Sequence, residues 1–309
     1  METRTKDFEY LYRRTLLPSL LALEPERQAL QKKIILIGAA IVGSTIFLLK
    51  HFNVPKGAVG HLFFISLTVV FMVSAFMRKS FRKRFKHEVL QHVFKALVPD
   101  GKFEPESHVS QQDFDSSELF GSYNRYKGED RVTGTFLGQP FEFSELSVSQ
   151  KTGTGKNRRT HTVFQGVFFQ SRLNRSVNGT VLIRPDTAEK AFGQLVGRFF
   201  QKSIDQGGYP LVELESPDFE TLFTVRSDSQ QQARVLLSPA VMERLTNFSR
   251  KYPQQGVHVS IRGSSLRLAL TMNRNLFEPR VFGKAIRIKD FEEITELFKI
   301  IEDLAKALH

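Results

Sequence analysis

Residues 34–49, IILIGAAIVGSTIFLL, and residues 58–77, AVGHLFFISLTVVFMVSAFM, decide how this chain is read, because neither run holds a single charge. Carried on to Phe52, the first run makes about 28 Å of helix at ~1.5 Å per residue, close to a hydrocarbon core of roughly 30 Å. The second is uncharged throughout and is the cleaner span. A core helix of a soluble protein alternates apolar and polar faces, whereas these runs are apolar all round and flanked by Lys and Arg. The connector, residues 50–57 (KHFNVPKG), holds Pro55 and Gly57 and has room only for a tight reversal, so the two spans form an antiparallel hairpin. Ala39, Gly43 and Ser44 are the small residues expected to let the second helix approach the first.

Orientation follows from the flanking charge. Arg27, Lys32 and Lys33 precede the first span, and Arg78, Lys79, Arg82, Lys83, Arg84 and Lys86 follow the second, while the connector has only Lys50 and Lys56. The positive-inside rule then puts both termini in the cytoplasm. The first run starts after thirty-three mostly polar residues and has no small-residue cleavage site behind it, which is not the pattern of a cleaved signal peptide.

The formal net charge of +12 would by itself suggest a nucleic-acid partner, but its distribution points elsewhere. Residues 1–100 carry sixteen Lys and Arg against seven Asp and Glu, and residues 101–309 carry twenty-eight against twenty-five. The basic character belongs to the membrane-flanking part. The 309 residues include no cysteine, which excludes disulfides, thiolate metal sites and a cysteine nucleophile.

The expected organisation is a cytoplasmic amphipathic helical segment (1–33), a transmembrane hairpin (34–52 and 58–77), a basic juxtamembrane helix with a linker (78–117) and a cytoplasmic α+β domain (118–309). In the first segment Pro18 is expected to break or kink a helix over residues 5–31. A helix over residues 81–97 should stop at Pro99-Asp100-Gly101, and the polar residues 102–117 read as linker. Residues 132–137, 140–148 and 160–170, rich in Phe, Val and Thr, read as strands. Gly138-Gln139 is the turn between the first two, and a bulge falls at Ser144-Glu145, where the alternation slips. Further strands are expected at 180–183, 211–214 and 219–225. Asp186 and Glu189 frame a capping box for a helix carrying Phe192, Leu195, Val196, Phe199 and Phe200. Ser238-Pro239 starts a helix to about Lys251. Residues 257–261 and 266–270 flank Arg262-Gly263-Ser264-Ser265 as a hairpin. Asp290 and Glu293 cap a last helix whose apolar stripe runs through Phe291, Ile294, Leu297, Phe298, Ile301, Leu304 and Leu308. The fold class is α+β, with an antiparallel sheet covered by helices; a pleckstrin-homology-like barrel fits the same periodicity.

Two basic segments are candidate contacts. The six cations Arg78, Lys79, Arg82, Lys83, Arg84 and Lys86 could attract anionic headgroups at about 1 kcal/mol each, or serve only as topology determinants. Residues 151–159 (KTGTGKNRR) lack the glycine and hydroxyl of a phosphate loop and read as a basic hairpin tip carrying Lys156, Arg158 and Arg159, either solvated or in contact with lipid or an acidic partner. Glu129-Asp130 and Glu142, Glu145 are the most acid-dense positions of the β region, but neighbours on a strand face opposite ways. The eight His are scattered without ligand spacing. No catalytic, cofactor-binding or metal-ligating residue is assigned, and no cofactor is expected.

Leu16-Leu17-Pro18 with Leu23-Glu24, the two spans, Ser117-Glu118-Leu119-Phe120, and Tyr126-Lys127-Gly128-Glu129-Asp130 form an ordered set. It continues through FEFSEL (141–146), VFQGVFF (163–169), Ser216-Pro217-Asp218-Phe219-Glu220 and ARVLLSP (233–239). The set resembles the bacterial family catalogued as domain of unknown function 3137. That resemblance implies a bacterial membrane-bound protein without an assigned activity, and carries over no functional residue. The expected function is a membrane-tethered, non-catalytic binding or scaffold protein in the bacterial inner membrane. Its partners would be the bilayer, anionic headgroups or a membrane protein, not nucleic acid. A membrane-anchored enzyme whose site gathers distant loops and a subunit of a larger membrane complex are the alternatives.

Overall fold

The computed structural model describes residues 12–52, 54–186, 208–272, 274–282 and 288–308. The chain divides into two compact units, residues 1–96 with 277–291 and residues 97–276 with 292–309.

In the first unit a π-helical turn, Tyr12–Leu16, leads into α1, Leu17–His51. Pro18 does not break the helix: it stands where the π-helical turn passes into α1, and the chain is helical on both sides of it. The expected start of that helix, with Phe8 and Leu11, lies outside the described residues. α2, Lys56–Phe85, continues through a π-helical stretch, Lys86–Leu90, into α3, Gln91–Leu97, so the helix expected over residues 81–97 is an extension of the second apolar helix rather than a new element. Leu16, Leu20, Leu23, Arg27, Leu30 and Ile34 recur at three- and four-residue steps and are buried, as are Phe81, Phe85, Val89, Leu90, Val93 and Phe94.

Across the apolar stretches the seam runs through Gly38, where a Cβ would meet Val70 at 3.5 Å. Ala39, Gly43 and Ser44 are exposed instead, and a Cβ at Gly43 would meet nothing within 4 Å. The expected small-residue contact is therefore one residue out of phase. Ser66 and Ser74 on α2 are buried and satisfy their hydroxyls by donating to the Phe63 and Phe71 carbonyls at 2.8 Å. The outer faces show Ile35, Leu36, Phe47, Phe52, Phe64, Ile65, Phe71 and Phe76, the last 81% exposed. Both helices are long and apolar enough to cross a membrane.

The second unit is built on a six-stranded antiparallel sheet in the order β1-β2-β3-β4-β5, with β6 on the other edge of β4. Its strands are β1 Lys102–Glu104, β2 Arg125–Phe136, β3 Gln139–Thr152, β4 Arg159–Pro185, β5 Phe223–Ser227 and β6 Val257–Thr271. β1 does not close onto β5 or β6, so the sheet is open and not a pleckstrin-homology-like barrel. The first hairpin turns at Leu137-Gly138, with φ of 50° and 76°, one residue earlier than expected. The expected bulge lies not on β3 but on the facing strand, where Asp130 and Arg131 together oppose Ser144. Their amides turn outward to the carbonyls of Pro105 and Ser107 at 3.1 and 3.0 Å. The slip in β3 has another cause: both faces of the sheet are covered, so Phe141 and Phe143 are buried on one and Leu146 and Val148 on the other.

Residues 102–117 are not a linker. They supply β1 and α4, Gln111–Asp115, and Val109 and Phe114 enter the core with Leu146, Val148, Phe164, Phe168, Leu182 and Ala269. Nor do residues 257–271 form a hairpin: β6 is one strand against β4, from Ile183↔Val259 to Gly166↔Thr271, with register shifts between Arg172 and Thr180. The expected strands at 160–170 and 180–183 are two ends of β4. Of the strand expected at 211–214 only a single bridge exists, Leu211↔Arg226. Residues 217–220 form the short helix α5, Pro217–Glu220, ahead of β5. α6, Gln230–Leu236, and α7, Pro239–Lys251, follow, and the Ser238 hydroxyl caps α7 as expected. The last helix, α8, Ile288–Leu308, buries Ile294, Leu297, Ile301 and Leu304, and Phe298 meets Phe143 edge-on at 4.9 Å. The helix expected after Asp186 and the side chains of Asp290, Phe291, Glu293 and Leu308 lie outside the described residues.

Candidate interaction surface

The hairpin tip between β3 and β4 is a 3-10 turn, Gly155–Asn157, with Gly153 at φ 79° and Gly155 at φ 57°. A Cβ at Gly153 would stand 2.4 Å from the Asn157 carbonyl oxygen, so the turn is tight enough to require glycine there. Asn124 clamps the end of β3, accepting from the Lys151 amide at 2.9 Å and donating to its carbonyl at 2.8 Å. The β2–β3 register, Arg125↔Ser149 and Lys127↔Ser147, puts both cations on the face of the sheet that Lys151 occupies. Burial lowers the Lys151 pKa, and Arg125, Arg158 and Lys127 lower it further. Each charge added to that corner thus repels the others.

Of the tip residues expected from sequence, Arg158 belongs to this corner and is exposed. Arg159 is also exposed, but its pairing with Thr152 sets it one step off Lys151, on the opposite face. The Lys156 side chain lies outside what is described. The sequence reading does not join Arg125 and Lys127 to Lys151 at the tip, because the ladder that gathers them is not local.

The basic strip after the second apolar run is arranged differently. Arg78 bonds the Ser74 carbonyl and hydroxyl at 3.1 and 3.2 Å, and Lys79 is exposed. Arg82 pairs with Glu278 at 2.7 Å, and Arg84 with Glu26 at 2.5 Å and Glu88 at 3.1 Å. Lys83 is exposed, and Lys86 is buried at 3% exposure. Deeper in the same unit Arg27 is buried, bonding Glu24 and the Val281 carbonyl at 2.8 Å. Six like charges in the sequence are therefore partly neutralised by acids brought in from elsewhere.

Among the described residues no group of three or more His, Cys, Asp or Glu could hold a metal ion. Glu142 is bound to Arg131 at 2.6 Å and accepts from Gln170 at 2.5 Å, while Glu145 accepts from the Leu276 amide at 3.2 Å. Those two carboxylates face opposite sides of β3 and do not form an acid–base pair. A cleft of about 710 Å³ is lined by Ser216, Asp218, Arg234, Leu237, Glu243 and Arg250, with Arg250 paired to Asp218 at 2.9 Å.

Two motifs of the family resemblance, residues 216–220 and 233–239, border that cleft. Residues 162–309 match the family described as "Protein of unknown function (DUF3137)". The match agrees with the resemblance read from the ordered motifs; the segments at 163–169, 216–220 and 233–239 lie inside it, and those at 117–120, 126–130 and 141–146 precede it. No curated protein matches the sequence. Among solved structures, the chain is similar to the crystal structure of the mycobacterial trehalose monomycolate transport factor A, TtfA. The identity is 13% and the TM-score 0.38, over 71% of this chain and 96% of that one, a likeness too slight to bear on function.

Proposed function

We propose that this is a two-span protein of the bacterial inner membrane, with both termini in the cytoplasm, whose sheet domain is a non-catalytic binding module for anionic groups on a protein partner or on lipid. Support for the membrane comes from the outer faces of α1 and α2. From Ile35 to Phe52 the exposed apolar side chains extend over about 26 Å of helix, between Lys32-Lys33 and Lys50. A soluble monomer seldom exposes so large an apolar patch. The orientation rests on the excess of cations at the N-terminal end of the first span and the C-terminal end of the second.

The observation that carries the binding role is the corner at Lys151, where Arg125 and Lys127 share its face of the sheet and, with Arg158, bear on its charge. An anion there gains attraction and relieves repulsion together. The test is purification of C-terminally tagged protein from native membranes in mild detergent, with mass spectrometry of co-purifying proteins and lipids. A partner or anionic lipid that is retained by the native chain and lost from Lys151→Glu/Arg158→Glu is the expected result. Unchanged recovery would remove the corner from the function, and digestion of the tag by protease added to intact cells would overturn the topology.

A further inference from the structure

Three polar atoms on β6 are buried without a hydrogen-bond partner: His258 Nδ1, Ser260 Oγ and Arg267 Nε. They share one face of the strand, since Ser260 pairs with Leu182 and Ala269 with Phe168, whose side chains belong to the core around Val109, Phe114 and Leu119. Native structures leave few such atoms, and a charged one has the most to lose. Arg267 is only 8% exposed.

Two carboxylates are near enough to attract Arg267, and both are engaged elsewhere. Asp113 accepts from the Ser110 hydroxyl at 2.5 Å. Glu118 accepts from Tyr209 at 2.9 Å on one oxygen and from Arg262 at 2.5 Å on the other. Arg262 adds a second positive charge that repels Arg267, and burial is the larger effect holding the Arg267 pKa below its usual value. The backbone of this roof is specialised: Glu118 stands at φ 55°, a left-handed conformation that a non-glycine residue rarely adopts, and Arg184 donates to its carbonyl at 2.7 Å. The segment Ser117-Glu118-Leu119-Phe120, singled out in the sequence, is thus held over two guanidinium groups.

We propose that Arg267 and Arg262, beneath the 109–120 segment, bind a small oxyanion, a phosphoryl or carboxylate group. Arg267 supplies an enclosed donor at the back, its Nε without a partner, and Arg262 a more exposed one at the rim, 52% accessible, which the anion takes over from Glu118. The site is separate from the cationic corner: Arg267 pairs with Gln170 and, through it, with Glu142, on the face of β3 opposite to Lys151. Binding at one does not require the other.

The test is thermal unfolding of the full chain in detergent, followed by circular dichroism, with inorganic phosphate or acetate titrated against chloride at matched ionic strength. A saturable rise in Tm is expected with at least one probe, and which probe raises it tells phosphoryl from carboxyl chemistry. Arg267→Gln should abolish the rise, Arg262→Gln should weaken apparent affinity roughly tenfold, and Arg158→Glu should leave it unchanged. If Arg267→Gln fails to fold, Arg262→Gln decides. No rise over chloride with either probe, or a rise lost in Arg158→Glu and kept in Arg262→Gln, overturns the proposal.

Discussion

Replacing Gly166 by Ala should be the most damaging single-methyl addition to the sheet. Gly166 lies in β4 at φ 147°, paired with Leu146 on one side and Thr271 on the other. A Cβ there would stand 2.0 Å from the Leu270 carbonyl oxygen and 2.9 Å from the Met272 amide nitrogen. Both obstacles are backbone atoms, and Met272 is held by its bond to the Gln165 carbonyl at 2.8 Å, so no rotamer change can make room. The disfavoured backbone conformation costs an L residue about 1–3 kcal/mol, and parting β4 from β6 sacrifices one or two ladder bonds at about 1 kcal/mol each. The expected loss is roughly 2–5 kcal/mol, which for a domain of this size lowers Tm by about 4–20 °C. Circular dichroism melts of the full chain in detergent, with urea midpoints, measure it. Gly138→Ala is the control: at φ 76° with nothing within 4 Å of the added Cβ, it bears only the conformational cost, about 1 kcal/mol. Equal losses in the two variants would refute the argument that backbone crowding at β6 sets the penalty.

Acid should destabilise the sheet domain through His258. Burial, with the Arg184 charge as a lesser cause, lowers its pKa to about 3, whereas the unfolded chain titrates it near 6.5. Between these values the unfolded state holds more protons, so stability is full above about pH 6.5 and falls on acidification by up to ~1.4 kcal/mol per pH unit. Urea midpoints at pH 7 and pH 5 should differ less in His258→Phe than in the native chain. Glu118→Ala, which loses the bonds to Tyr209 and Arg262 and keeps the strained φ, should cost about 2–3 kcal/mol, and Glu118→Gly less, because glycine relieves the strain; the reverse order by thermal melt would show that the turn is not strained. Lys151→Gln should raise Tm at low salt by relieving the crowding from Arg125, Arg158 and Lys127, and the gain should vanish near 1 M salt, where screening acts over roughly 3 Å.

The two apolar helices are legible because a run without charge needs no partner to be recognised. Their seam is less so: Gly38 rather than Gly43 lies against α2, a phase of one residue that composition does not fix. Among the strands, the β2–β3 hairpin declares itself through local turn chemistry, though its turn is Leu137-Gly138. Residues 257–271 mislead for the opposite reason. Arg262-Gly263-Ser264-Ser265 has the composition of a turn, and Gly263 does adopt φ 57°, but β4 lies alongside with Gly263 opposite Val177 and extra residues taken up between Arg172 and Thr180. The long strand bends where the sequence says reverse, and only the partner strand decides between the two. The polar composition of residues 102–117 likewise hides Val109 and Phe114, whose burial depends on a sheet face that forms later in the chain. Arg158 and Arg159 were visible as a basic tip, whereas Arg125, Lys127 and Arg267 acquire meaning only from register.

The same distinction ranks the two basic regions as anion binders. In the basic strip after the second apolar run, Arg82 and Arg84 already have Glu278, Glu26 and Glu88 as partners, with side chains 38% and 52% exposed. Exposed pairs of this kind contribute only about 0–1 kcal/mol and open readily, but the acid stays nearby and repels an incoming phosphate. At the corner, the groups that shift Lys151 are all cations, and an anion is attracted by each of them while it lowers their mutual repulsion. A count of Lys and Arg along the chain favours the strip, but the balance of neighbours favours the corner. A polyanion should therefore bind more weakly to Lys151→Glu/Arg158→Glu than to Arg82→Glu/Arg84→Glu.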